Sequence, residues 1–267
     1  MASRIISSRS PGGRLLTIEW VDDLPSPSSY LDEIARHDGS HGFVVVTEDM
    51  AVKDSLPPQK PGDGALHVSI LLRPTLQPRR GTLLSVLSAL ALVRTVRRHS
   101  AHEPMIRWVS DVFAGKRRIA AVATRAVLTQ QGSYDYVIVN LALRITDSFA
   151  GSLTEVVESV FSSNRETLTE RVAETLITEF FTLYEGFATT DSTAFLDEYR
   201  ELSLLRGKRI RFWKDGKRYR ATVIGIDDSA GLVVTPRRGR SVVLHSLSEL
   251  HDPRRHKRQK QQKKTES

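Results

Sequence analysis

The chain has 267 residues, 40% of them hydrophobic and 26% charged, with a net charge of +8 and no cysteine. That length holds one large domain and a small one, and the missing cysteine excludes disulfides, thiolate metal sites and a cysteine nucleophile. No apolar run approaches the ~18 residues needed to cross a bilayer and no hydrophobic signal core opens the chain, so no membrane role and a cytoplasmic location are expected.

In chain order, residues 1–14 read as a flexible lead-in. The partial alternation of residues 14–20 (Arg-Leu-Leu-Thr-Ile-Glu-Trp) predicts a strand, Leu24-Pro-Ser-Pro-Ser-Ser a loop with capping residues, and 30–36 a helix. The β-branched run 42–48 suits a central strand. Residues 49–64, rich in Pro, Gly, Lys and Asp, form a long loop of the kind that serves as a lid. A strand at 65–72 follows. Residues 82–99 have apolar side chains at 83, 84, 87, 90, 91 and 93, the period of a packed helix, with Arg94, Arg97, Arg98 and His99 near its end.

Two strands come next, 105–109 and 119–128, joined through Ala114-Gly-Lys-Arg-Arg, and 134–145 is a third. Helices are expected at 152–161, 166–184 and 193–205. Past Arg206 the pattern changes to short strands at 209–213, 218–226, 231–235 and 241–245, separated by turns at Asp215-Gly216 and Ser229-Ala-Gly231. That spacing is what a small β-barrel produces. The chain therefore divides into a flexible N-terminus (1–14), an α/β domain (15–205), a barrel (206–251) and a basic tail (252–267).

The tail concentrates the charge. Residues 251–267 hold seven Lys/Arg against two acids, a net +5, leaving +3 on the other 250 residues. Such a run should be disordered. Its uses are loose, salt-sensitive contact with nucleic-acid phosphates or simply solubility.

Four features, in order, resemble the biotin–protein ligase family. Residues 21–35 are similar to the family's serine-bearing loop and helix, with Ser26 aligned. Ile106-Arg-Trp-Val-Ser-Asp-Val followed by Gly115-Lys-Arg-Arg-Ile-Ala-Ala-Val resembles the Lys-Trp-Pro-Asn-Asp strand, turn and Gly-Lys-Lys segment. Helices then lead to a small C-terminal domain, where Gly225-Ile-Asp227 and Gly231-Leu-Val-Val resemble the turn of an SH3-like barrel.

The resemblance implies a mixed β-sheet flanked by helices, of the class II synthetase kind, with a C-terminal SH3-like barrel. It implies biotin and ATP as substrates, with Mg²⁺, giving biotinyl-adenylate and then a biotinylated lysine on the carboxyl carrier domain of a carboxylase or decarboxylase. Carried onto this chain, Arg107 is the catalytic residue and, with Ser26, binds biotin. Trp108, Asp111 and Lys116 bind nucleotide.

The chain departs from the family pattern at several of these places. A Gly-Arg-Gly-Arg-Arg-Gly loop is expected after Glu48-Asp49-Met50, where this chain has Ala51-Val-Lys-Asp-Ser-Leu-Pro-Pro. Arg107 stands for the family's lysine, keeping the charge in a different geometry. Val109 and Ser110 replace Pro-Asn, and bulkier residues replace the glycines and asparagine around Val137-Ile-Val-Asn-Leu-Ala-Leu.

Plainer readings stand beside these. Arg107 could form a cation–π pair with Trp108, Asp111 could cap the turn into Gly115, and Lys116, Arg117 and Arg118 could be a solvated hairpin tip. His37 and His41 are four apart but span Gly39, which argues against a metal pair. No Gly-x-Ser-x-Gly elbow or Walker loop is present.

Three functions are therefore in view. One is a divergent ligase using Arg107, Asp111 and Lys116. The second is a catalytically inactive relative that binds biotin, a nucleotide or a protein. The third is a nucleic-acid module built on the basic and aromatic residues of 209–220, of which strand alternation sends only about half to one face. No helix-turn-helix precedes Arg14, so a repressor role is not expected.

Overall fold

The computed structural model describes residues 3–22, 24–48, 65–145, 165–190 and 192–250. The loop expected at 49–64, the helix at 152–161 and the tail at 252–267 lie outside the described residues.

Eight strands form one mixed sheet in the order β1-β2-β3-β4-β8-β7-β6-β5. They are β1 (Ser3–Arg9), β2 (Leu15–Val21), β3 (Phe43–Glu48), β4 (Ala65–Leu72), β5 (Pro104–Arg107), β6 (Asp111–Ala114), β7 (Arg117–Leu128) and β8 (Tyr134–Arg144). Among the described strands only β2 and β3 run parallel, as the helical crossover between them requires. Alternation along β4 sorts the sheet's two faces. Leu66, Val68, Ile70 and Leu72 point to a core shared with α2 (Thr82–His99) and α3 (Arg165–Thr190). Leu71 points the other way, toward α1 (Pro27–Arg36), where Leu31 and Ala35 meet Val45, Tyr136 and Ile138.

Helix α2 lies between the sheet and α3, so its apolar surface extends well beyond one stripe. Its buried Thr95 donates its hydroxyl to the Ala91 carbonyl, keeping a polar group satisfied inside the core. Glu179 of α3, 5% exposed, faces the guanidinium groups of Arg94 and Arg98. Arg94 also reaches Glu198 of α4 (Phe195–Glu201) at 2.6 Å.

Residues Ser3–Arg9, expected to be flexible, are a strand paired with β2 along its whole length. Their side chains are exposed, so burial gave no signal. An edge strand needs only its neighbour's backbone groups. The hairpin is fastened to α3 by the Glu185 carboxylate, which accepts from the Ser10 hydroxyl and the Gly12 N–H.

Other boundaries shift. The third expected helix is the seven-residue α4, and Asp111–Ala114 is a strand of its own between the two expected on either side of it. The expected barrel strands are β9 (Arg209–Lys214), β10 (Lys217–Ile226), β11 (Leu232–Pro236) and β12 (Val242–Leu244). They form a four-stranded antiparallel sheet in the order β12-β11-β10-β9, with no ladder joining β9 to β12 among the described residues. Its inner side, including Phe212, Val223 and Leu244, packs into the same core as the large sheet.

Candidate functional site

Helix α1 covers only part of the sheet face opposite the core. Beyond it a row of directly paired residues crosses six strands. Thr47 pairs with His67, His67 with Ala142, Ala142 with Ala121, Ala121 with Asp111, and Asp111 with Arg107. Residues opposite one another in a ladder share a face, so this register alone sets Arg107, Asp111, His67 and Thr47 on one surface. Alanines form its middle. The next row holds Ser69 and Asn140, whose side chains bond at 2.7 Å.

The groups on this surface differ in how they are held. The Arg107 guanidinium is exposed and stands over the Phe113 ring at 5.5 Å, so its cation–π partner is Phe113 and not Trp108. The Asp111 carboxylate accepts from Arg118 Nη1 at 3.1 Å; it opens β6 and does not cap a turn. His67 is 5% exposed. The Thr47 hydroxyl is buried with no hydrogen-bond partner among the described residues. Such a group is available to a polar ligand. A cavity of about 400 Å³ reaches Thr47 at the sheet end, but it opens on the α3 side, bounded by Arg4, Trp20, Val46, Glu48 and Glu170.

The structure therefore brings together two of the five residues singled out from sequence, Arg107 and Asp111. Lys116 lies exposed on the β6–β7 turn with Gly115 at φ 56°, at the sheet end where β3 and β8 finish. Ser26 is the N-cap of α1: its hydroxyl oxygen accepts from the Ser29 N–H at 3.2 Å and donates to the Ser29 hydroxyl at 2.8 Å. Trp108 points away from the surface. It is 1% exposed, lies in the core, and its indole N–H donates to the Ala230 carbonyl at 2.8 Å.

His67 and Thr47 were missed. Their signal was the alternation Ala65-Leu-His-Val-Ser69, which puts the small and polar residues on the side opposite Leu66 and Val68. His37 and His41 are not brought together as ligands. His37 Nδ1 lies 2.9 Å from the Glu33 carbonyl, and His41 Nδ1 accepts the Arg73 N–H at 3.1 Å. Among the described residues no three metal-ligating side chains converge, and no helix is long and apolar enough to cross a membrane.

No family model matches the chain. A curated relative, the bifunctional ligase/repressor BirA of Bacillus spizizenii, is 19% identical over 228 residues, 82% of this chain and 70% of the relative. Among solved structures, the biotin protein ligase of Aquifex aeolicus in complex with biotin and ATP superposes with a TM-score of 0.63 at 14% identity, covering 87% of this chain and 96% of that one. A biotin protein ligase-like protein of unknown function from a Silicibacter species gives 0.66 at 13% identity, covering 90% and 96%. The biotin protein ligase of Leishmania major with biotin gives 0.52 at 15% identity, covering 85% and 97%. The chain thus has the biotin protein ligase fold, a large mixed sheet flanked by helices and joined to a small antiparallel sheet.

Proposed function

We propose that the open sheet face binds biotin and ATP, joins them as biotinyl-adenylate, and passes the biotinyl group to a lysine on the carrier domain of a carboxylase or decarboxylase. The observation that carries this reading is the register that sets the free Arg107 guanidinium beside Asp111 on a floor of alanines, in a fold shared with ligases solved with biotin and ATP.

The chemistry asks for positive charge where two anions meet. The biotin carboxylate attacks the α-phosphorus and pyrophosphate leaves; the carrier lysine then attacks the acyl carbon and AMP leaves. Arg107 can bridge carboxylate and phosphate oxygens through its planar fork, lowering the repulsion between them and stabilising the charge that builds on phosphorus. The Asp111–Arg118 pair, at 3.1 Å, holds Arg107's immediate neighbour in place. Lys116, on the rim, supplies further charge toward the triphosphate. Mg²⁺ would enter with the nucleotide and would supply screening of the triphosphate charge.

Ser26 contributes by fixing the start of α1, and Trp108 by holding the strand end that carries Arg107. The segment 51–58 offers neither glycine nor arginine to close over an adenylate. Each lost charge-stabilising donor costs about 10²–10³ in rate, so turnover is expected to be slow.

The test incubates stoichiometric protein with biotin, ATP, Mg²⁺ and a carrier domain. Slow appearance of biotinylated carrier, dependent on Arg107, supports the reading. An unlabelled carrier with no pyrophosphate released overturns it.

A further inference from the structure

We propose that the outer face of the C-terminal sheet binds single-stranded nucleic acid, an activity separate from the adenylate chemistry. Charge is divided sharply along the chain. Residues 206–250 hold eleven Lys/Arg against four acids, a net +7, while residues 1–205 carry a net −4. None of the four strands β9 to β12 contains an acidic residue.

The register concentrates that charge on one side. Arg209 pairs with Thr222, Arg211 with Arg220, and Trp213 with Arg218. Arg209, Arg211, Arg218 and Arg220 therefore share the face opposite Phe212 and Val223, which are buried at 1% each. All four are exposed, and none makes an ion pair among the described residues. Several arginines of the large domain are instead paired with acids, Arg94 with Glu198, Arg118 with Asp111 and Arg73 with Asp135. Like charges directly opposite in a ladder destabilise the pair. Arg211 facing Arg220 is thus a local cost that an external anion would offset.

The composition of the face selects among anions. Arginine forks match phosphate oxygens, and the same face carries the half-buried ring of Trp213, which pairs with Arg218 and lies next to Arg211 and Arg220. Arginines interleaved with an aromatic ring suit a chain that offers phosphates and stackable bases together. Arg237, Arg238 and Arg240, exposed on the β11–β12 turn, extend the track. A duplex fits poorly, because four strands ~4.8 Å apart span ~14 Å against a major groove of ~12 Å.

The experiment uses the full-length chain and labelled RNA and DNA single strands of about 20 nucleotides, longer than the ~4–16 that one small β-domain occupies. Fluorescence anisotropy is followed over a salt series for the wild type, R211S/R220S and R209S/R218S. Each double variant should bind at least about tenfold more weakly, and its slope of log affinity against log salt should flatten by about 1.4, or ~0.7 for each phosphate no longer neutralised. W213L should weaken binding about tenfold by removing the stacking ring. R211S/R220S should melt no lower than the wild type, because a like-charge pair has been removed.

The tail 252–267 is common to all variants, so the differences report the sheet. Unchanged affinity and slope in both double variants would place any binding in the tail and overturn the proposal. Tighter binding to polyglutamate, to phosphatidylserine vesicles or to duplex DNA than to single strands would overturn it too.

Discussion

The indole N–H of Trp108 reaches 2.8 Å to the backbone carbonyl of Ala230, joining the end of β5 to the β10–β11 turn of the C-terminal sheet. That turn is itself rigid. Ala230 has φ 63°, and Asp227 Oδ1 accepts the N–H groups of Ser229 and Gly231 at 2.9 and 2.8 Å. Nearby, the Tyr199 hydroxyl donates to the Val109 carbonyl at 2.6 Å, and Ile106 exchanges backbone bonds with Leu202 and Leu204. The residue beside Arg107 thus couples the candidate site to the second sheet.

Trp108→Phe should keep most of the packing and lose the bond to Ala230. A buried carbonyl left without a donor costs about 1–3 kcal/mol, and a cooperative urea transition shifted by that amount would agree. Trp108→Ala adds a cavity and should cost about 3–5 kcal/mol. A phenylalanine variant as stable as the wild type would show that the bond is dispensable.

Arg107→Ala removes an exposed side chain, so the fold should survive with an unchanged melting temperature. Single-turnover biotin transfer should fall by about 10²–10³. Arg107→Lys restores the family's ammonium and should transfer at least as fast as the wild type. Equal rates for alanine and arginine would remove Arg107 from the chemistry.

Asp32 of α1 is 7% exposed and accepts from the Tyr136 hydroxyl at 2.6 Å and from Arg36 at 2.7 Å, with Arg125 at 3.2 Å. Asp32→Ala should cost about 1–3 kcal/mol, mainly from the Tyr136 hydroxyl left without its acceptor. The two arginine side chains are largely exposed, so their loss adds little. Tyr136→Phe should recover most of that loss in the double variant, and denaturant unfolding of the four proteins measures the coupling.

Acid should weaken the fold before carboxylates titrate. Burial holds His41 below the ordinary imidazole value, reinforced by the charge of Arg14, and burial likewise lowers His99, which bonds Thr175 at 2.9 Å. Both are neutral bases in the folded chain, so the unfolded chain binds more protons once the pH falls below about 6.5. Stability should be full above that pH and decline as it drops through it. Melting temperatures at neutral pH and about one unit below 6.5 should show the fall, and His41→Gln should shallow it. A flat profile would contradict the assignment.

The order of elements was legible because periodicity is local. The run 82–99 became a helix and 65–72 a strand over the spans expected, and the change of pattern at Arg206 marked the second sheet. Ser3–Arg9 was not legible, since its side chains are exposed and its order comes from pairing with β2 and from contacts with the distant helix α3.

The amino-acid sequence by itself determined the residue types available to the site: an arginine where the family has lysine, an aspartate four residues on, and no glycine in 51–58. Tertiary structure alone decided which of them meet. Arg107 and Trp108 are adjacent in sequence, yet one faces the open surface and the other the core. His67, 40 residues before Arg107, shares its surface through three intervening strands. Strand alternation turns neighbours apart while ladder register gathers distant residues, and register is set by the whole sheet rather than by any one segment.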